Sequence, residues 1–321
     1  MSANLSCDED NLLPEGSAPP FPLAMTELLE SLQFVYGPQV ANGLAIGVAV
    51  ILMALGLTII FGLLDVINMA HGEFYALGAY LGLTLVAKGA SFWLCLALVP
   101  LIMAAIGYAT ERALIQRVFH SGDRHTLTLL LTFGLAIIAE DAFKLAYGPN
   151  PYKPDAPISG ASELLGVMLP NYRLFLIVAG AAIIVAVWLV VYRTSLGAMV
   201  RASAFDRNMA SSLGVPVDKV YAGTFAFGVA LAGLSGVLLA PVYSVFPTMG
   251  KDFILLAFSV VIVGGMGSIK GAVIAGLVLT QIQSISSLFI SPVWSEPLVF
   301  GIMVLFLMVR PQGLAGRLGH G

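Results

Sequence analysis

Arg193–Lys219 reads RTSLGAMVRASAFDRNMASSLGVPVDK and is the longest polar interval between apolar runs in the second half of the chain. It carries Arg193, Arg201, Arg207 and Lys219 against Asp206 and Asp218. Met199, Ala202, Phe205, Met209 and Leu213 recur at intervals of three, three, four and four, which places them on one narrow stripe of a short helix, with Arg201, Arg207 and Asn208 off it. Gly214 followed by Val215 and Pro216 is a helix stop, and Asp218 is placed to cap the helix that follows. The pattern predicts a short amphipathic helix held between two membrane spans. It fits two roles equally, a solvated loop helix that only returns the chain and a surface offered to a partner.

The sequence on either side is that of an integral membrane protein. Of 321 residues 59% are apolar and only 10% charged, and the mean hydropathy is +0.94, far outside the range of soluble globular chains. A net charge of -3 gives no reason to expect nucleic acid as a partner. Cys7 sits in the polar amino-terminal tail and Cys95 inside an apolar run, so neither suggests a disulfide or a metal site. Residues 1–38 hold Asp8, Glu9, Asp10, Glu15, Glu27 and Glu30 and no Lys or Arg, which excludes the basic start of a secretory signal. With Pro14, Pro19, Pro20 and Pro22, the stretch Asn11–Pro22 reads as disordered. The chain thus divides into an acidic tail (1–38), a transmembrane domain (39–310) that contains the polar loop 193–219, and a short carboxyl-terminal tail (311–321).

A helix needs about 20 apolar residues to cross about 30 Å of hydrocarbon. That ruler predicts an all-α polytopic bundle of eight or nine spans: Val40–Phe61, Phe74–Ala87, Ser91–Thr110, Thr126–Tyr147, Tyr172–Tyr192, Val220–Phe246, Phe253–Val263, Gly271–Ile290 and Leu298–Val309. If all nine cross and the carboxyl terminus is cytoplasmic, Arg112, Arg117, Arg124, Arg193, Arg201, Arg207, Lys219, Lys270, Arg310 and Arg317 share the cytoplasmic side. Lys88, Lys144, Lys153, Arg173 and Lys251 are left outside with the acidic tail. The loop Gly148–Asn171, rich in proline, falls outside as a stiff linker.

Two predicted spans, Phe74–Ala87 and Phe253–Val263, are short. Taking Tyr172–Tyr192 as a connector between four spans and four, the short ones occupy matching places, and nine crossings give the halves opposite orientation. This is the hydropathy signature of an inverted repeat, and it points to a transport path near the midplane. No residue-by-residue similarity between the halves is evident, so the repeat rests on hydropathy. The path candidates flank the short spans: Asn68, His71, Gly72 and Glu73 at the first, Gly264, Gly265 and Gly267 at the second. The pairs Gly43/Gly47 and Gly78/Gly82, with Gly228, Gly233 and Gly236, mark close helix packing.

Polar groups at membrane depth are costly and face a cavity, a partner or each other. Asp65, Asn68, His71 and Glu73 read best as a structural turn, with Asn68 and Glu73 satisfying backbone at the break. His71 and Glu73, two residues apart with no companion His or Cys cluster, do not make a metal site. Gly264–Ala272 is glycine-rich, yet Lys270 is followed by Gly271, and GxxxxGK with Ser or Thr occurs nowhere in the chain. No nucleophile–base or paired-carboxylate pattern is legible, which argues against catalysis by this chain.

Four blocks resemble one family. Arg201-Ala202 with Asp206, Met209-Ala210 and Leu213-Gly214-Val215 look like the cytoplasmic coupling segment of permease subunits of branched-chain amino acid (Liv-type) ABC importers. Ile67–Glu73 followed by Gly78-Ala79-Tyr80, Gly264–Ala272, and Arg310–Leu314 are similar to further segments of that family. Met25 begins a stretch that looks like the start of shorter members. The resemblance implies a type II-like ABC importer permease in a bacterial inner membrane, paired with a non-identical sister permease. It implies two cytoplasmic ATPases that carry ATP and Mg, and a solute-binding protein outside. Arg201, Ala202, Phe205, Asp206, Met209, Leu213 and Gly214 would then face the ATPase. The implied cargo is a branched-chain or other apolar amino acid, with urea or short amides as the alternative. The competing class is a proton-driven secondary transporter using His71, Glu73 or the Glu140-Asp141 pair.

Overall fold

The computed structural model describes residues 32–119, 123–164 and 166–315. The disordered stretch expected at Asn11–Pro22, the start expected at Met25, Cys7 and Arg317 lie outside the described residues. The described helices are α1 (Gly37–Leu64), α2 (His71–Ala87), α3 (Phe92–Thr110), α4 (Arg124–Tyr147), α5 (Asn171–Arg193), α6 (Ser195–Phe205), α7 (Arg207–Ser212), α8 (Val217–Tyr243), α9 (Met249–Gly264), α10 (Ile269–Ser286) and α11 (Pro292–Val309). A π-helical turn (Leu32–Tyr36) leads into α1, and another (Glu111–Ile115) extends α3. Among the described residues, six helices are long and apolar enough to cross a membrane. α2 and α9, with 17 and 16 residues, are the two short ones that hydropathy singles out, and α11 is also a short apolar helix.

The fold is an all-helical bundle with one exception. The loop expected to be an irregular linker carries a two-stranded antiparallel hairpin, β1 (Ala161–Leu164) with β2 (Val167–Pro170), in register Ala161↔Pro170 to Leu164↔Val167. Tyr152 in the same loop exchanges backbone hydrogen bonds with Val245, just beyond α8. This ties the loop to the second half of the bundle.

α1 and α8 are the central pair, with 83% and 78% of their most apolar windows buried against 22% for α3 and α5. They cross where Gly56 faces Gly228, so closely that a Cβ on Gly56 would lie 2.6 Å from the Gly228 carbonyl oxygen. Small residues permit this approach, and dispersion between backbones replaces the hydrophobic drive that lipid cannot supply. Ser235 adds a hydrogen bond from its Oγ to the Ala49 carbonyl oxygen, 2.7 Å.

The packing obeys a pseudo-twofold that exchanges α1 with α8, α2 with α9 and α3 with α10. α1 packs on α10 as α8 packs on α3; α2 meets α8 as α9 meets α1; α2 meets α3 as α9 meets α10. The exchanged partners also contact each other, α1 with α8 and α2 with α9. Among the described residues only Asp65 (φ 52°) and Ser244 (φ 66°) are non-glycines with positive φ, and each directly follows a central helix, α1 or α8. Their ψ values differ, 37° and 162°, so only Asp65 is left-handed helical; what the two share is a positive φ at the end of a central helix. The repeat of the two halves expected from hydropathy is therefore present in the packing.

Its consequence is depth. His71, the first residue of α2, is hydrogen-bonded to the Met53 carbonyl oxygen, eleven residues before α1 ends at Leu64. At 1.5 Å per residue that is about 16 Å back along α1. The segment 65–70 thus re-enters the bundle, and α2 begins halfway along its neighbour. α9 begins against it: a Cβ on Gly72 would strike the Gly250 carbonyl and the Ile254 side chain.

The polar interval departs from expectation in two ways. It forms two helices instead of one, because Asp206 adopts an extended conformation (φ -152°, ψ 110°) and its Oδ1 accepts the Met209 N–H at 2.9 Å, capping α7. Asp favours this local bond over continuing a helix. Asp218 does not cap α8: Pro216 occupies the cap position without a side-chain bond, and Asp218 in the first turn pairs with Arg207 at 3.2 Å. The helix stop at Gly214 (φ 86°) is as read. Val215 N–H reaches the Ala210 carbonyl and Gly214 N–H that of Ser211, both at 3.0 Å, closing a Schellman turn.

Candidate functional site

Three groups of candidate residues lie at two levels of the bundle. The first is the surface of α6 and α7. Thr194 caps α6 by accepting the Gly197 N–H, and Gly197 packs so tightly on the Val190 and Val191 carbonyls that no side chain fits there. α6 consequently folds straight back from α5. The buried face of the pair is Gly197, Ser203 and Ala210. The apolar residues face away: Phe205, Met209 and Leu213 are 83%, 61% and 79% exposed, with Leu196 and Ala202 also exposed and Met199 half-buried.

The charged residues of this surface are tied to their own chain. Arg201 donates to the Val191 carbonyl and lies over the Tyr192 ring at 5.6 Å, which fastens α6 to the end of α5. Arg207 pairs with Asp218 and lies 5.2 Å from the centre of the Tyr221 ring, which fastens α7 to α8. The sequence places both arginines off the apolar stripe, and the resemblance implies that Arg201 faces the ATPase. Their geometry makes them clamps that hold an apolar patch in the open.

The second group is the seam where α2 and α9 begin. Asn68 is buried and its Oδ1 accepts the Ala70 N–H at 3.1 Å, so it satisfies backbone at the break as expected. Glu73 does not; it lies within the first turn of α2, 4% exposed, and its carboxylate packs against Gly250. His71 Nε2 donates to the acceptor-only Met53 carbonyl, leaving Nδ1 unpartnered. Asn68 Nδ2 and Glu73 Oε2 also lack hydrogen-bond partners. Buried polar atoms in this state are rare and costly, and they concentrate where a structure functions.

The third group is remote from that seam. Gly264 packs on Gly271, and Gly265 on Gly313, in a knuckle at the far end of α9. The chain after α11 returns to it, Leu314 N–H donating to the Val263 carbonyl at 2.8 Å and Ala315 N–H to that of Gly264 at 3.1 Å. Gly267 abuts Gly62 near the end of α1. A cleft lined by Phe61–Asp65, Ser203, Arg207, Tyr221, Met266 and Gly267 joins this knuckle to α6 and α7. The last two sequence blocks are thus in contact, beside the first.

Two charged residues that the sequence did not single out as a pair belong at the seam. Lys251 on α9 forms an ion pair with Glu140 on α4, and Lys144 holds the same carboxylate at 2.7 Å. A signal was available: His71-Gly72-Glu73 and Met249-Gly250-Lys251 open the two short helices with the same glycine followed by a charge.

Residues 39–308 match the family model for the branched-chain amino acid transport system permease component. A high-affinity branched-chain amino acid transport system permease protein, LivH of Salmonella typhimurium, is 31% identical over 304 residues, 89% of this chain and 98% of the relative. BraD of Pseudomonas aeruginosa, of the same description, is 31% identical over 302 residues, 88% of this chain and 96% of the relative. LivM of Salmonella typhimurium, a second permease of such a system, is 28% identical over 290 residues, 82% of this chain and 67% of the relative. A solved structure, PsaBC from Streptococcus pneumoniae in complex with Fab, shares the fold with a TM-score of 0.50 at 14% identity, over 90% of this chain and 97% of that one. With a family model matched along most of its length and relatives at this identity over nearly their whole sequence, the chain belongs to the permease component family of branched-chain amino acid transport systems.

Proposed function

We propose that this chain is the membrane-spanning permease subunit of an ATP-driven importer in the bacterial inner membrane, and that α6 and α7 are where an ATPase subunit grips it. The carrying observation is the exposed patch of Phe205, Met209 and Leu213, held open by Arg201 and Arg207 at one end of the bundle. Large apolar side chains clustered in a polar surround mark a docking site. With no Walker A sequence in the chain, ATP and Mg belong to the partner, and this subunit is not an enzyme.

The basic residues favour α6 and α7 on the cytoplasmic side and the hairpin outside, where a solute-binding protein would dock. Similarity to both LivH and LivM supports pairing with a sister permease, in a heterodimer. The relatives' names make branched-chain amino acids the first cargo to test. ATP-driven closure of the ATPases would push α6 and α7, and the rigid halves of the repeat would turn that push into alternating access.

The test is co-purification. Asp206→Lys removes the cap of α7, and Gly214→Leu forces a side chain into the left-handed conformation at its end. Both variants should reach the membrane at normal levels and lose the ATPase by tenfold or more. Normal co-purification of both overturns the assignment.

A further inference from the structure

Glu73 and Lys251 occupy the same position in the two halves of the repeat. Each is the third residue of its short helix, each follows the glycine at which α2 and α9 touch, and they carry opposite charge. Two such residues beside a pseudo-twofold are placed to pair with each other. They do not pair here. Lys251 reaches across to Glu140 on α4, whose carboxylate also holds Lys144. Glu73 stays behind, buried, with Oε2 unpartnered. The charged groups close enough to act on the Glu73 carboxylate are Glu140, Lys251 and Lys144, so one movable ammonium lies near two carboxylates, one on α2 and one on α4.

The arrangement favours movement. Lys251 is half-exposed, with 55% of its side chain accessible, on a flexible four-carbon stem. When Lys251 leaves, Glu140 keeps Lys144 and is not stranded. The Glu73 carboxylate packs against Gly250, the residue before Lys251, so a movement of the first turn of α9 would carry Lys251 from one carboxylate toward the other. Glu73 is the carboxylate left without a cation here, so a conformation that brings Lys251 to it gains an ion pair while Glu140 keeps Lys144.

We propose that Lys251 alternates between Glu140 and Glu73 during the transport cycle, and that this exchange latches the two halves of the repeat in their alternative arrangements. Glu73, Glu140 and Lys251 are on this view positioning residues for the access change and not ligands of the cargo. The proposal rests on the ATP-driven reading above.

The test uses the full transporter complex with Cys7 and Cys95 replaced by serine. Cysteine pairs are placed one helical turn away, at 137 and 248 or at 77 and 248, so that Glu73, Glu140 and Lys251 keep their charges, and a bifunctional thiol reagent is applied without nucleotide and with ATP trapped by vanadate. The yields of the two cross-links should change in opposite directions between the two states, by at least threefold. Yields that are constant or move together, in a complex that retains its ATPase, overturn the exchange; loss of the ATPase instead marks failure of the importer reading. A second measurement does not need cysteine pairs. Glu73→Gln and Lys251→Met should each cut solute uptake at least tenfold with membrane levels retained, and Lys251→Arg should restore at least half. Uptake at the parental rate in Glu73→Gln overturns the proposal.

Discussion

At the scale of single residues, the seam between α2 and α9 is built by what is absent. Gly72 and Gly250 bring two helix backbones into contact, and a methyl group on Gly72 would meet the Gly250 carbonyl and Ile254. Overpacking a fixed backbone costs about 1–3 kcal/mol. Gly134, in the middle of α4, has nothing within 4 Å of where its Cβ would lie, and replacing a helical glycine there gains up to about 1 kcal/mol of propensity. Gly72→Ala should therefore lower the Tm of the purified protein by several degrees, whereas Gly134→Ala should leave it unchanged or raise it; equal shifts would remove the close approach as an explanation. His71, Gly72 and Glu73 were legible as candidates because three polar or small residues in succession interrupt an apolar sequence. Lys251 was not, because a lysine beside a loop reads as a surface residue, and only the fold brings it to Glu140, 111 residues earlier on α4.

At the scale of elements, α6 and α7 show what periodicity reads well and what it misses. The spacing of Phe205, Met209 and Leu213 survives as a shared exposed surface, although the helix that was to carry it is broken between the first and the second. The break was latent in Asp206, whose short side chain competes for the backbone N–H groups that a continuous helix would use. What no periodicity could supply is the sign of the stripe, since an apolar face packs inward in most helices. Here the inward face is Gly197, Ser203 and Ala210, small residues that let the pair lie flat against α5 and α8. Replacing Phe205, Met209 and Leu213 together with serine removes apolar surface and leaves the caps and clamps untouched. The triple variant should insert and fold normally, keep its sister permease, and lose the ATPase. A variant that unfolds or fails to insert would show that the patch stabilises the chain itself.

At the scale of the molecule, the repeat was readable only as a rhythm of long and short apolar segments, and its symmetry appears in contacts that sequence does not encode locally. Asp65 and Ser244 share a place and a positive φ but neither ψ nor side chain, so residue identity gives no hint that they correspond. The same geometry fixes a whole-chain test of orientation. α5 has 23 residues, about 34 Å at 1.5 Å per residue, enough to cross the hydrocarbon once, and a crossing there would put the β-hairpin at its start and α6 at its end on opposite faces of a membrane. Met168 on the hairpin and Leu213 beyond α7 are both well exposed and form no part of a packed core. In a background with Cys7 and Cys95 replaced by serine, a cysteine at Met168 should react with a membrane-impermeant maleimide in spheroplasts, and one at Leu213 only after permeabilisation. The reverse pattern would keep the fold and invert the protein, placing the apolar patch where no ATP is available. Reaction of both from one side would require α5 to lie along the surface, which its continuous apolar length opposes.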